Sequence, residues 1–282
     1  MMERLYIVNP IAGKGGRKKK IVDRLIKSGK NVVFTKYPGN AVELAHDSDC
    51  PVTVAVGGDG TVNEVARGLA GTGRKMGIIP CGSGNGLARH LKLFRNFSRC
   101  EDILEKGHTQ PLDSGTINGK PFYSVCGVGL DATVSKRFQE SGKRGLSTYI
   151  KEAARTWRDF HPETYRISLD GKEFTQEAVL ITIGNSNQWG NGAKVTPLAR
   201  TDDGELDLTV ISMFRTVEIP VLALRLMTGS LHKSGRVKCY RAKHIEIDRS
   251  APGPAHCDGD YIEAGTHISV SVIPHSLEII VP

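Results

Sequence analysis

The sequence has no stretch long enough to cross a bilayer. Its longest apolar run, AVLITIG at 178–184, falls far short of the ~20 residues a spanning helix needs. Membrane contact is therefore expected to be peripheral. The six cysteines (Cys50, Cys81, Cys100, Cys126, Cys239, Cys257) are scattered and form no CxxC pair, which argues against a disulfide framework and for reduced thiols. The opening MMERLYIVNP reads as a strand rather than a secretory leader, so the expected location is cytoplasmic. No internal repeat, low-complexity tract, coiled-coil or collagen pattern is present. The histidines, His46 and His256 among them, lack ligand spacing, which argues against a catalytic zinc. No zinc knuckle, RNP motif or helix-turn-helix accompanies the basic residues, so nucleic acid is not an expected partner.

At 282 residues the chain has room for two domains, and 39% apolar with 24% charged residues is ordinary for a soluble globular protein. The compositional excess is glycine, with 32 residues concentrated in turns. Net charge is +8, gathered in GRKKK (16–20), KRFQESGKR (136–144) and HKSGRVKCYRAKH (232–244). Such clusters attract phosphate-rich partners, although each alone also fits a solvated basic face.

The first hundred or so residues alternate strand and helix. Strands are expected at 4–9, 31–37, 52–56 and 75–80, and helices at 17–29, 41–47, 61–71 and 87–93. Repeated βα units with short loops predict an α/β domain with a doubly wound, mainly parallel sheet, whose ligands sit at the carboxyl ends of the strands. After LEKGHTQPLDSG (104–115), alternating β-type runs take over, with Asp170-Gly171 as a hairpin signal. An antiparallel, β-rich, sandwich-like second domain is expected, interrupted by helices near 147–160 and 216–228. The predicted domains are 1–110 and 111–275, with the last strand (276–282) returning to the first.

Three glycine turns fall at one edge of the predicted parallel sheet: NPIAGKGG (9–16), GGDGT (57–61) and PCGSGNG (80–86). Each presents backbone N–H groups at a helix start, and glycine lets phosphate oxygens approach closely. None has Walker A spacing, and the first is not a GxGxxG dinucleotide turn. For any single turn a plain βα connection is the simpler reading, with Thr61 as N-cap and Glu64 completing a capping box. That reading leaves Asp59 unexplained. A carboxylate aimed at an anion repels it unless a divalent cation lies between them or a proton has to move.

GGDGTVNEV, together with VNPIAGKGG, IPCGSGNGLAR, DDGELDL and CDGDY, resembles the diacylglycerol-kinase-type lipid kinases, which include bacterial lipid kinases and sphingosine and ceramide kinases. The resemblance runs from residue 5 to 282. GGDGT alone also occurs in NAD kinases; the Asn-Pro-x-x-G and GSGN turns separate the lipid kinases from them. The resemblance implies an ATP- and Mg²⁺-dependent kinase that phosphorylates a hydroxyl of a membrane lipid. It implies nucleotide contacts from Asn9, Pro10, Ile11, Ala12 and Gly13, from Thr35, from Gly57, Gly58, Asp59, Gly60, Thr61, Val62 and Asn63, and from Ser83. It makes Asp59 the residue that carries the active magnesium or orders its water shell. It also implies a second, structural metal at Asp203, with Arg200 and Glu205 contributing through the backbone; a solvated hairpin turn fits those residues as well.

The resemblance makes Asp260 the acceptor of the lipid hydroxyl proton, one methylene shorter than the glutamate of relatives. An ordinary Asp-Gly hairpin is the plain alternative there. Many bacterial members carry an aspartate where this chain has Gly86 in Asn85-Gly86. Asp131 falls where relatives have an acidic residue near the acceptor pocket, and it also reads as a helix N-cap. Asn185, opening GNSNQWGNG, falls where it could shape the same pocket, with a structural turn as the preferred reading. The departures at Gly86 and Asp260 keep open a non-catalytic nucleotide or lipid sensor, and a NAD-kinase-like enzyme is the nearest rival. The acceptor lipid and the oligomeric state, a homodimer included, stay open.

Overall fold

The computed structural model describes residues 3–11, 16–93, 96–142 and 146–282. The chain divides into two compact units, Met1–Asp113 with His275–Pro282, and Ser114–Pro274.

The first unit is built from β1 (Arg4–Val8), α1 (Gly16–Lys27), β2 (Asn31–Phe34), α2 (Asn40–His46), β3 (Val52–Gly57), α3 (Asp59–Leu69), β4 (Lys75–Pro80), α4 (Gly86–His90) and α5 (Phe97–Lys106). The strands are parallel in the order β2-β1-β3-β4. Near the C-terminus, Glu278 and Ile279 continue the sheet in parallel beside Lys75 and Met76. β3 is buried at every position, and its VTVAVG run is continuously apolar or small, as expected for a strand covered on both faces. α3 buries Val62, Val65, Ala66 and Leu69, a helical stripe that holds its amino terminus at the end of β3. The order 2-1-3-4 reverses direction between β1 and β3, which places the carboxyl ends of these two strands at the switch point where open α/β sheets bind ligands.

The second unit begins within β5 (His108–Ile117) and continues through β6 (Lys120–Phe122), β7 (Val125–Gly129), α6 (Leu130–Glu140), α7 (Leu146–Asp159), β8 (Glu163–Leu169), β9 (Lys172–Ala178), β10 (Leu180–Gly184) and β11 (Leu206–Ile211). It is completed by α8 (Ile219–Thr228), β12 (Val237–Ala242), β13 (His244–Asp248), β14 (Gly253–Cys257), β15 (Asp260–Ala264) and the first part of β16 (His267–Val281). An antiparallel sheet in the order β12-β11-β10-β7-β14-β15 faces a second layer in which β13 pairs with β8 and β16. Their inward side chains, including Val128, Ile167, Ile181, Leu208, Ile245 and Val270, form one buried cluster. This is the sandwich that the alternating runs predict.

Several expectations shift. The second strand stops at Phe34, the first helix spans 16–27, and the helix after GSGNG ends at His90. Helix α5 was not anticipated, α6 starts one residue before the Asp131 cap reading, and α8 begins at Ile219 behind a 3₁₀ turn over Thr216–Glu218. The Asp170-Gly171 hairpin joins β8 to β9, with both turn residues at positive φ (49° and 85°), as a two-residue I′ connection requires. No cysteine is in a disulfide, and no helix among the described residues is long and apolar enough to cross a membrane.

Candidate functional site

In the first unit the turns after β3 and β4 are clasped together. The Cys81 N–H donates to the Gly57 carbonyl (2.7 Å), and a Cβ placed on Gly82 would lie 2.5 Å from the Gly58 Cα. Only glycine allows that approach. Asp59, the first residue of α3, completes the clasp: its carboxylate accepts from the backbone N–H groups of Asn85 (2.8 Å) and Gly86 (2.6 Å). Asn85 sits in the left-handed region (φ 52°) and cross-links its own turn, its side chain accepting from Gly82 N (3.0 Å) and donating to Gly82 O (2.8 Å).

Two sequence readings change here. The third turn does not offer its N–H groups at 85 and 86 to an anion, because Asp59 takes them. Thr61 is not an N-cap: Gly58 is the cap residue of α3, and Thr61 lies buried inside the helix with no partner for its hydroxyl among the described residues. Glu64 reaches across instead to the amino terminus of α2, accepting from Gly39 N (3.0 Å) and Ala41 N (3.3 Å). Both α3 carboxylates therefore cap neighbouring helices rather than their own.

The anion-binding capacity of this edge lies at the start of α3, where the N–H groups of Asp59, Gly60 and Thr61 have no intrahelical acceptor and carry the positive end of the helix dipole. Asn63 lies half-buried one turn on, and Val62 is buried. After β1, the Asn9 side chain accepts from Ile11 N (2.9 Å), and the Lys18 ammonium donates to the carbonyls of Asn9 and Pro10. Burial lowers the pKa of Lys18. Ala12 and Gly13 lie outside the described residues. Thr35 is buried and donates its N–H to the Val8 carbonyl (2.9 Å), while Ser83 is exposed.

A magnesium ion fits Asp59. Each carboxylate oxygen accepts one backbone hydrogen bond and keeps a further lone pair, and magnesium commonly binds through one or two carboxylates together with substrate phosphates and water.

In the second unit, Asp258 and Gly259 form a two-residue I′ turn between β14 and β15 (φ 52° and 87°). The Asp258 carboxylate accepts from three successive amides, Tyr123 N (2.9 Å), Ser124 N (2.8 Å) and Val125 N (3.0 Å). Asp260, two residues on, is exposed, and its side chain has no hydrogen-bond or ion-pair partner among the described residues. Asp131 is buried as the second residue of α6, whose cap is Gly129, so it is not the N-cap. Its carboxylate accepts from Ala132 N (2.8 Å) and the Thr182 hydroxyl (2.8 Å) and lies 3.0 Å from His256 Nε2. Thr182, Gly127 and His256 stand side by side on β10, β7 and β14. A Cβ on Gly127 would intrude to 3.2 Å from the Asp131 carboxylate, so the glycine opens the space the carboxylate occupies. Asn185 is buried and donates to the Tyr123 carbonyl (3.1 Å), a structural role.

The proposed second metal position is already served by a protein cation. The Arg241 guanidinium pairs with Asp203, lies 3.1 Å from Glu205 and approaches Asp207 to 3.8 Å. Arg200 pairs with Asp202 (3.3 Å). A divalent ion at Asp203 would have to displace Arg241 from that carboxylate. Sequence reading missed Arg241, His256 and Thr182, because strand register creates all three contacts.

Burial raises the Asp207 carboxyl to about 6; Arg241 opposes the shift, and Asp203 and Glu205 add to it. The folded state therefore holds this proton more tightly than the unfolded chain, whose aspartates titrate near ~3.9. Stability from this group is full below pH ~4 and is lost as pH rises through about 6, a change of at most ~3 kcal/mol. Asp207→Asn is expected to melt above wild type at pH 7.5, with the gap shrinking toward pH 4, as followed by circular dichroism.

Paired glycine turns on a parallel α/β sheet mark the first unit, and an antiparallel sandwich makes up the second. Residues 3–117 match the family profile described as the diacylglycerol kinase catalytic domain, and residues 124–281 match the YegS C-terminal NAD kinase beta sandwich-like domain. A diacylglycerol kinase of Staphylococcus aureus (strain bovine RF122 / ET3-1) is 29% identical over 274 residues, covering 93% of this chain and 87% of the relative. That of Staphylococcus carnosus (strain TM300) is 28% identical over 278 residues, covering 93% and 90%. A crystal structure from Bacillus anthracis str. Sterne, described as a "putative diacylglycerol kinase", has a TM-score of 0.80 at 27% identity and covers 99% of this chain and 97% of that one. The chain belongs to the diacylglycerol-kinase-type lipid kinase family.

Proposed function

We propose that the protein transfers the γ-phosphate of ATP to a hydroxyl of a membrane lipid. The observation that carries this reading is the clasp at the start of α3. Unpaired helix N–H groups for phosphate and a carboxylate with lone pairs left for a cation occur within three residues of each other. Family membership and the staphylococcal relatives' description as diacylglycerol kinases support the acceptor class.

The Asn9–Ile11 turn, steadied by Lys18, and the Gly57–Asn63 turn would seat the nucleotide, with Thr35 and Ser83 at its margins. Bound magnesium, held by Asp59, would offset the charge that accumulates on the transferring phosphoryl oxygens. Phosphoryl transfer depends on positioning more than on base strength, so an exposed aspartate suffices to accept the hydroxyl proton. Asp260 is suited to that task because no internal donor occupies its lone pairs. Buried Asp131, with three donors already around it, is suited to shaping the sheet rather than touching the acceptor. The basic clusters at 16–20, 136–144 and 232–244 would favour peripheral residence on anionic membrane at the cytoplasmic face.

The test supplies γ-labelled ATP and Mg²⁺ with diacylglycerol, sphingoid bases, phosphatidylglycerol and polyprenols in mixed micelles, alongside NAD. Label in one lipid and none in NAD is the expected result. Label in NAD alone, or ATP binding without transfer to any acceptor, would overturn the proposal.

A further inference from the structure

We infer that α8 and the turn before it form the face by which this protein docks on an anionic bilayer. The inference rests on the lipid-kinase reading only in requiring access to a membrane. α8 reads IPVLALRLMT, and none of its ten residues is buried. Leu222 and Leu226, one turn apart, pack against the apolar cluster of Val195, Leu231 and Val237. The opposite side of the helix is equally apolar and is bare. Val217, Val221, Leu224 and Met227 are 77%, 55%, 65% and 52% exposed, with Met213 beside them at 43%. Helical spacing places Val221, Leu224 and Met227 on a single outward stripe. A helix that is apolar all round is ordinarily covered on every side, and contiguous bare apolar surface of this kind marks an interaction site.

Charge selects the occupant. Between residues 213 and 238 stand five cations (Arg215, Arg225, Lys233, Arg236, Lys238) and one carboxylate, Glu218. That carboxylate is held by Arg236 at 2.9 Å and lies 3.9 Å from Arg215, and one Arg225 guanidinium nitrogen is buried, which leaves Lys233 and Lys238 as exposed cations clear of Glu218. Beside the stripe, Trp157 of α7 stacks on Phe214 with ring centroids 4.4 Å apart, and its indole N–H lies 3.5 Å from the Thr216 hydroxyl. An apolar ridge in a segment with an excess of cations, with an amphipathic indole stacked on Phe214, suits the boundary between acyl chains and anionic headgroups. A second copy of the chain would bring the same cations against one another, which disfavours self-association through this face.

The test is co-sedimentation of the full chain, without nucleotide, with vesicles of phosphatidylcholine alone or mixed with phosphatidylglycerol. The Val221→Glu/Leu224→Glu double variant is compared with wild type. Both substituted positions are exposed, so the variant is expected to melt with wild type. Wild type should bind the anionic vesicles, weakening with salt, and the double variant should lose about ten-fold or more of that binding. Lys233→Ala/Lys238→Ala, both at exposed positions, should weaken binding to anionic vesicles and leave the melting temperature in place. Equal binding by wild type and the acidic variant would overturn the inference, as would equal wild-type binding to both vesicle types. A wild-type dimer in sedimentation velocity that the acidic variant abolishes would reassign the face to self-association and overturn it too. The assay involves no turnover, so an inactive protein that still binds vesicles through α8 would refute the kinase reading while leaving this one standing.

Discussion

Asp260→Ala is expected to lower lipid phosphorylation by about 10²- to 10⁴-fold, the range associated with removing a positioned proton acceptor. It should do so with no change in melting temperature, because the Asp260 side chain is exposed and has no partner among the described residues. Nucleotide affinity, measured calorimetrically, should also stay near the wild-type value. Asp260→Glu is the informative companion, since it restores the longer carboxylate that the family resemblance places here, and it should retain transfer. An alanine variant that phosphorylates lipid at the wild-type rate would remove Asp260 from the mechanism and move the search for the acceptor to other exposed polar groups of the second unit.

Two residues earlier the same substitution should have the opposite signature. Asp258→Ala strips a charged acceptor from three consecutive backbone amides. Each hydrogen bond to a charged group contributes roughly 1.5–3 kcal/mol, and donors left unpaired add a desolvation cost, so a loss of about 3–5 kcal/mol is expected. For a chain of this size that lowers the melting point by about 10 °C or more. Asp258→Asn keeps one acceptor oxygen and should fall between alanine and wild type. If Asp258→Ala melts with wild type, the 123–125 turn does not depend on this carboxylate, and the contrast between the two aspartates fails.

That contrast shows where sequence reading succeeds and where it stops. The strand-turn-helix rhythm of the first unit was legible because local periodicity and glycine placement determine it; VTVAVG followed by the stripe Val62, Val65, Ala66, Leu69 is a pattern within one stretch of chain. The Asp258-Gly259 hairpin was legible for the same reason. What Asp258 grips was not, because its partners lie more than 130 residues away in sequence. Thr61 and Glu64 show a local pattern overruled by packing: the four-residue spacing of a capping box is present, yet Glu64 is drawn to the end of α2. α6 starts directly on the end of the apolar VCGVG strand with Gly129 as its cap, so Asp131, the one polar residue that suggests a helix start, lies inside the helix instead. The Arg241 pairing depends on the register that sets Asp207 opposite Arg241 across β11 and β12, which residue spacing does not encode.

The grip of Asp59 on Asn85 and Gly86 bears on how its variants are interpreted. One carboxylate serves two masters: it fastens the start of α4, and it offers the lone pairs a cation would use. Replacing it with alanine opens a seam between the starts of α3 and α4 as well as removing a ligand, so lost turnover alone does not identify a chemical role. Asparagine is no cleaner, because its amide turns a donor toward one of the two N–H groups. The separable quantity is temperature: a seam that has opened softens the first unit with or without nucleotide, whereas a missing ligand weakens only the stabilisation that bound nucleotide and magnesium confer.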